Sequence, residues 1–133
     1  MKNAALDNKT IMVCVTGQRS CDQLIARGVE RRGEKGKVHV VHCVETGKNF
    51  MNTPFESDAI EYLFTAAQLA GAELSLIRTQ DVEDTIVEFA KEKQADVIVL
   101  GAPGRQSGAE TLSMRLQRRL PDVEFDVVST ARR

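Results

Sequence analysis

Asp96-Val97-Ile98-Val99-Leu100 is a short apolar run that stops at Gly101, and Ala102-Pro103-Gly104-Arg105-Gln106-Ser107-Gly108 follows it. An apolar run of this length is what a strand buried on both faces needs. A glycine-rich turn after such a strand, opening into an amphipathic stretch, directs backbone N–H groups at the start of a helix, where an anion is favoured. Arg105 and Ser107 add side-chain donors for phosphate oxygens. The chemistry to expect is binding of a phosphorylated small molecule. The same glycines would also serve a strand-to-helix turn that binds nothing.

Two other constellations carry less. His39-Val40-Val41-His42-Cys43 contains the residue types of a metal site. Residues three apart on one strand point to opposite faces, however, so the two imidazoles cannot share an ion. Cys14, Cys21 and Cys43 form an odd count without a C-x-x-C pair, which fits a reducing cytoplasm rather than a disulfide framework. Cys14 and Cys43 sit in apolar runs and read as small core residues. Arg115, Arg118 and Arg119 read as a solvated basic helix end that compensates the helix dipole.

The chain has 133 residues, enough for one domain (1–133) that buries roughly two-thirds of its unfolded surface. Its 42% apolar and 28% charged content is that of a globular protein. A formal charge of −1 argues against bulk electrostatic binding of nucleic acid or an acidic membrane surface. The expectation is a cytoplasmic chain without a membrane span or a secretory leader, frayed over its polar residues 1–9.

The elements that must position the turn follow from periodicity. Strands are expected at residues 11–15, 37–44, 73–77, 96–100 and 123–128. Helices are expected at about 22–32, 57–70, from about 81, and 109–120, with stripes such as Leu24, Ile25, Val29 and Leu112, Leu116, Leu120. Gly33 and Gly71 end helices, Pro121 stops the last one, and Asp81 caps the amide of Asp84. Gly28 costs its helix about 1 kcal/mol relative to alanine, and close packing on the sheet is the reason to expect. Phe50, Met51 and Phe55 make the loop over 45–56 apolar enough to fold back, either onto the domain's own surface, the favoured reading, or onto a ligand. Strands alternating with helices give an α/β fold: right-handed crossovers and a mainly parallel sheet covered on both faces, in three layers.

In this order the elements resemble the universal stress protein family. Three stretches carry the resemblance: Ile11-Met12-Val13-Cys14-Val15-Thr16-Gly17-Gln18-Arg19-Ser20; Asp81-Val82-Glu83-Asp84-Thr85-Ile86-Val87-Glu88-Phe89-Ala90 with Ala95 to Gly101 after it; and the Gly101-x-x-Gly104 turn. Thr16-Gly17-Gln18, Val44-Glu45-Thr46, Gly71-Ala72-Glu73-Leu74 and Arg118-Arg119-Leu120-Pro121 are similar to the stress-protein domain of the Kdp potassium-sensing histidine kinase. The resemblance implies five parallel strands in the order 3-2-1-4-5 with four helices. It also implies a ligand crevice at the carboxyl ends of strands one and four, lined by Thr16, Gly17, Val41, Gly101, Gly104, Arg105, Ser107 and Gly108. A homodimer through the edge strand from Val123 to Val128 is implied as well, and alternating apolar and charged residues there suit an open edge.

ATP-binding members of the family continue Gly-x-x-Gly with nine residues, then Gly and Ser or Thr; this chain has Met114 and Arg115 instead. They also place Asp near the position of Thr16. Each hydrogen bond lost to a charged group is worth roughly 1.5–3 kcal/mol, so the departure implies weak binding of ATP, AMP or a cyclic dinucleotide. For the cyclic dinucleotide, the Ser-x-Ser turn and Phe-Thr-Ala-x-Tyr strand of some Kdp-kinase domains have Thr16-Gly17-Gln18 and His39 to Cys43 in their place. The expected function is a non-catalytic regulatory or stress-response module. The alternatives are an ATP-binding or ATP-hydrolysing stress protein and a pure protein-interaction dimer. Thr16-Gly17-Gln18-Arg19-Ser20-Cys21 keeps only the first glycine of the Ser-Gly-Gly-x-Asp-Ser pattern of adenylating folds, which argues against an enzyme.

Overall fold

The structure, a computed structural model, describes residues 9–15, 21–50, 53–102 and 111–129. Nine elements alternate along the chain: β1 (Thr10–Cys14), α1 (Cys21–Arg32), β2 (Lys37–Glu45), α2 (Glu56–Leu69), β3 (Glu73–Thr79), α3 (Val82–Lys93), β4 (Val97–Gly101), α4 (Leu112–Arg119) and β5 (Glu124–Val128). All strand pairs are parallel and the order is β3-β2-β1-β4-β5, as expected.

β1 lies at the centre with apolar residues at successive positions because both of its faces are covered. Ile11, Val13 and Val15 pack with Leu24 and Ile25 of α1 and Leu63 and Ala67 of α2. Met12 and Cys14 pack with Ile86, Val87 and Ala90 of α3 and Leu116 of α4. Each helix therefore spends its apolar stripe on one face of the sheet, which produces the three layers.

The local stop signals hold. Gly33 and Gly71 adopt positive φ, 75° and 71°, just past α1 and α2. Asp81 lies before α3 and its carboxylate accepts from the Asp84 amide at 3.0 Å. One end carries no such sequence mark, and one helix starts later than expected. α3 closes on Gln94 with φ 56°, a left-handed residue without a glycine's freedom. α4 begins at Leu112, later than the expected 109, because Thr111 serves as its N-cap and accepts from the Met114 amide at 3.2 Å. Ala109 itself lies outside the described residues. β3 runs on to Thr79, whose carbonyl accepts from Thr46 just past β2. The apolar loop after β2 divides: Phe50 is 7% exposed and joins the core, whereas Phe55 is 70% exposed; Met51 lies outside the described residues.

Among the described residues no helix is long and apolar enough to cross a membrane.

Candidate functional site: the tips of β1 and β4

β1 has β2 on one side and β4 on the other, with Cys14 in register with both Val41 and Leu100. The element following β1, α1, packs on one face of the sheet; the element following β4, α4, packs on the other. Two neighbouring strands whose connections part to opposite faces leave a crevice at their carboxyl ends, where ligands of doubly wound folds bind.

Gly101 is the last residue of β4 and stands at this place. Its neighbour Ala102 is fastened to the edge strand, the amide donating to Val128 O at 2.8 Å. Among the described residues a Cβ built on Gly101 would meet the two methyls of Leu24, both at 3.9 Å, an ordinary contact, and its φ is not positive. None of the described residues requires glycine there. Val41 is on the opposite flank of β1, with its side chain buried in the α3–α4 layer and its carbonyl accepting from the Val15 amide at 2.9 Å. It fixes the strand tip through its main chain. Thr16, Gly17, Gly104, Arg105, Ser107 and Gly108 lie outside the described residues.

In the sequence His42 served to argue against a metal and as part of the stretch that departs from the cyclic-dinucleotide strand motif. The structure places it against the carboxyl end of β1. His42 is 1% exposed, and its Nδ1 is 2.7 Å from the Val15 carbonyl oxygen. A carbonyl only accepts, so Nδ1 carries the proton. Burial lowers the pKa of His42 below the usual histidine value, and the bond to Val15 only partly offsets this. The Phe50 ring packs on His42 at 5.5 Å between centroids, and the Arg78 guanidinium carbon lies 4.2 Å from the centre of the Phe50 ring. Arg78 also pairs with Glu56, whose carboxylate accepts from the Phe50 amide at 2.7 Å. The signal available in the sequence was the strand alternation that puts His42 on the same face as Val38 and Val40.

His39 points to the other face, as expected, and to the other end of the sheet's chemistry. Its ring packs edge-on against Phe89 of α3 and its Nδ1 is 3.2 Å from Glu73. Burial lowers its pKa; the Glu73 charge opposes this, and Lys93 and Lys37 add to it. Among the described residues no group of three His, Cys, Asp or Glu side chains could hold a metal ion. The basic end of α4 is engaged rather than open: Arg115 and Arg119 hold Glu83 at 2.8 and 3.1 Å, and Arg119 also holds Asp84 at 2.7 Å. These contacts tie the end of α4 to the first turn of α3.

A parallel sheet of this order, whose connections part to opposite faces between β1 and β4, defines a doubly wound α/β domain. The sequence model of the universal stress protein family matches residues 7–120, and the chain belongs to that family. No curated protein matches the chain by sequence. Among solved structures it is similar to a universal stress protein in complex with cAMP, with a TM-score of 0.64 and 19% identity, covering 93% of this chain and 98% of that one. A universal stress protein from Archaeoglobus fulgidus in complex with dAMP matches with a TM-score of 0.55 and 19% identity, over 91% and 96% of the two chains. A family protein from Arabidopsis thaliana with AMP bound matches with a TM-score of 0.57 and 15% identity, over 92% of each. At these identities the likeness is one of fold.

Proposed function

We propose that this chain is a non-catalytic regulatory module, a single domain over 1–133, that binds an adenine nucleotide weakly at the tips of β1 and β4. The observation that carries this reading is Gly101: the tip of β4 holds a glycine that neither its φ nor its packing against the described residues demands, and a bare main chain is what close approach to a ligand uses. The AMP, cAMP and dAMP bound by structural neighbours support an adenine nucleotide as the class, with ATP and cyclic dinucleotides as the other ligands to try.

In this reading Thr16 and Gly17 lie at one wall of the site. Gly101, Gly104, Arg105, Ser107 and Gly108 supply the other, and Val41 supports the tip between them. Met114 in place of the family's second phosphate-binding glycine supports weak binding and no hydrolysis. Within the family, Thr16-Gly17-Gln18 and Arg118-Arg119-Leu120-Pro121 favour kinship with the Kdp-kinase stress domain, and the absence of a disulfide pattern favours a cytoplasmic setting.

Thermal shifts with AMP, cAMP, ATP and a cyclic dinucleotide test the reading. At a hundred times its dissociation constant a ligand adds about 2.7 kcal/mol of stability. One of the four is expected to do so in the wild type and to lose the effect in Gly104→Val. No shift from any of them overturns the proposal, and phosphate release from ATP and magnesium that Gly104→Val abolishes replaces it with an enzyme.

A further inference from the structure

We propose that His42 is a positioning residue for the nucleotide crevice, its Nδ1–H holding the Val15 carbonyl and so fixing the end of β1 beside Gly101. The inference rests on the nucleotide-binding reading for its purpose, but its geometry stands separately. A polar side chain buried to 1% exposure is costly unless it is bonded, and a hydrophobic residue of similar size would fill the same space without that cost. The bond His42 makes is not local: it crosses from β2 to Val15, the residue just past the end of β1. Val15 is thereby held twice, its amide by the Val41 carbonyl at 2.9 Å and its own carbonyl by His42 at 2.7 Å. With its N–H and C=O both fixed, Val15 has its backbone held on both sides at the tip of β1.

The ring is in turn held in place. Phe50 covers it, the Arg78 guanidinium lies against Phe50, and Glu56 binds both Arg78 and the Phe50 amide. Arg78 also donates to the Lys48 carbonyl at 3.4 Å, so the turn after β2 is fastened to β3. β1, β2, β3 and the start of α2 therefore converge on one imidazole at the rim of the crevice. The Nδ1–H bond goes to a main-chain carbonyl of another strand and so specifies the direction of that strand's end.

The test uses three forms of the whole chain: wild type, His42→Leu, which removes the donor, and His42→Asn, whose amide takes the place of Nδ1–H. Ring nitrogen NMR of the wild type is expected to show the neutral Nδ1–H form; a proton on Nε2 alone overturns the proposal. The amide resonances of Val15, Gly101 and Ala102 are expected to move in His42→Leu and return in His42→Asn. AMP titration is expected to show affinity about tenfold weaker in His42→Leu, which corresponds to about 1.4 kcal/mol, with recovery to within about twofold in His42→Asn. Equal losses in both variants, or unmoved amides, overturn the proposal. If the wild type binds no AMP, the nucleotide reading falls, and the ring proton and the amides alone decide whether His42 positions the strand.

Discussion

Gly28 of α1 and Val13 of β1 touch so closely that a Cβ on Gly28 would fall 2.5 Å from Val13 Cγ2. Val13 is fully buried and β-branched, so its methyl has no other rotamer to take without leaving the core. In helix propensity alone, Gly28→Ala would gain about 1 kcal/mol. Overpacking costs about 1–3 kcal/mol, and at this distance the backbone of α1 must shift away from the sheet. The expected outcome is net destabilisation of up to about 2 kcal/mol in urea unfolding. A variant more stable than wild type would show that α1 moves away freely.

Gly101→Ala is expected to do the opposite. Its Cβ would rest against Leu24 at 3.9 Å without strain. Loss of freedom in the unfolded chain then stabilises by about 0.4–1 kcal/mol. Paired unfolding curves for the two alanine variants measure the contrast. Destabilisation at position 101 would mean that glycine there serves the fold, and the argument for a ligand would lose its support.

These two glycines also show what was legible in the sequence. Gly28 interrupts an amphipathic stripe, and close packing was the reason to expect from pattern alone. The alternation of apolar runs and helical stripes gave strands and helices at nearly their true places, because each is a local, periodic property. The sheet order came with the family resemblance. The anchor at Val15 was not legible: His42 is 27 residues away, and nothing local marks which buried polar group meets which carbonyl. Phe50 and Phe55 were indistinguishable as apolar loop residues until Glu56 and Arg78 were seen to fasten the first and leave the second exposed. Gln94 ends α3 in a conformation that no neighbouring glycine or proline announces.

The cysteines are expected to be inert in the folded protein. Burial pushes the Cys14 thiol up to about 12, with Cys43 adding to the effect, and burial pushes Cys43 up to about 11. Burial and the neighbouring Asp22 charge also raise Cys21, although hydrogen bonds from backbone amides pull the other way. The thiolate is the reactive species, so an aromatic disulfide reagent at pH 8 should label all three only as fast as the chain opens. Rapid labelling of even one thiol in the native protein contradicts this, and denaturant should release all three together.

Asp126 joins β5 to α1, receiving Arg27 at 2.7 Å and Arg31 at 2.9 Å. Burial alone would raise its pKa, but the bonds from Arg31 and Arg27 and their charges outweigh this and leave the carboxyl below its usual value. The folded pKa is thus lower than the unfolded one, so this contribution is complete above about pH 4 and lost as pH falls through the depressed value. Asp126→Asn should cost about 1 kcal/mol at pH 7, the partly exposed arginines holding it to that, and should flatten the acid limb of the stability curve. An unchanged acid limb would assign that loss of stability to other carboxylates.

The same pairing makes β5 the better of the two sheet edges for a second copy. An edge strand offers unpaired backbone groups, but like charges brought face to face oppose association. On β5, Asp126 is neutralised by two arginines and Glu124 by Arg31, while Val127 stands 39% exposed. On β3, the exposed Glu73 pairs with His39, which burial keeps below its usual pKa and therefore uncharged near neutrality. The homodimer through Val123 to Val128 that we propose should therefore appear in sedimentation at about tens of micromolar, where a weak dimer of micromolar dissociation constant is mostly assembled. Val127→Arg places an unpaired charge in that contact and should yield monomer with an unchanged melting temperature at low concentration. Leu69→Glu, on the exposed face of α2, should leave the dimer intact. A wild-type monomer, or a dimer broken by Leu69→Glu and not by Val127→Arg, moves the contact away from β5.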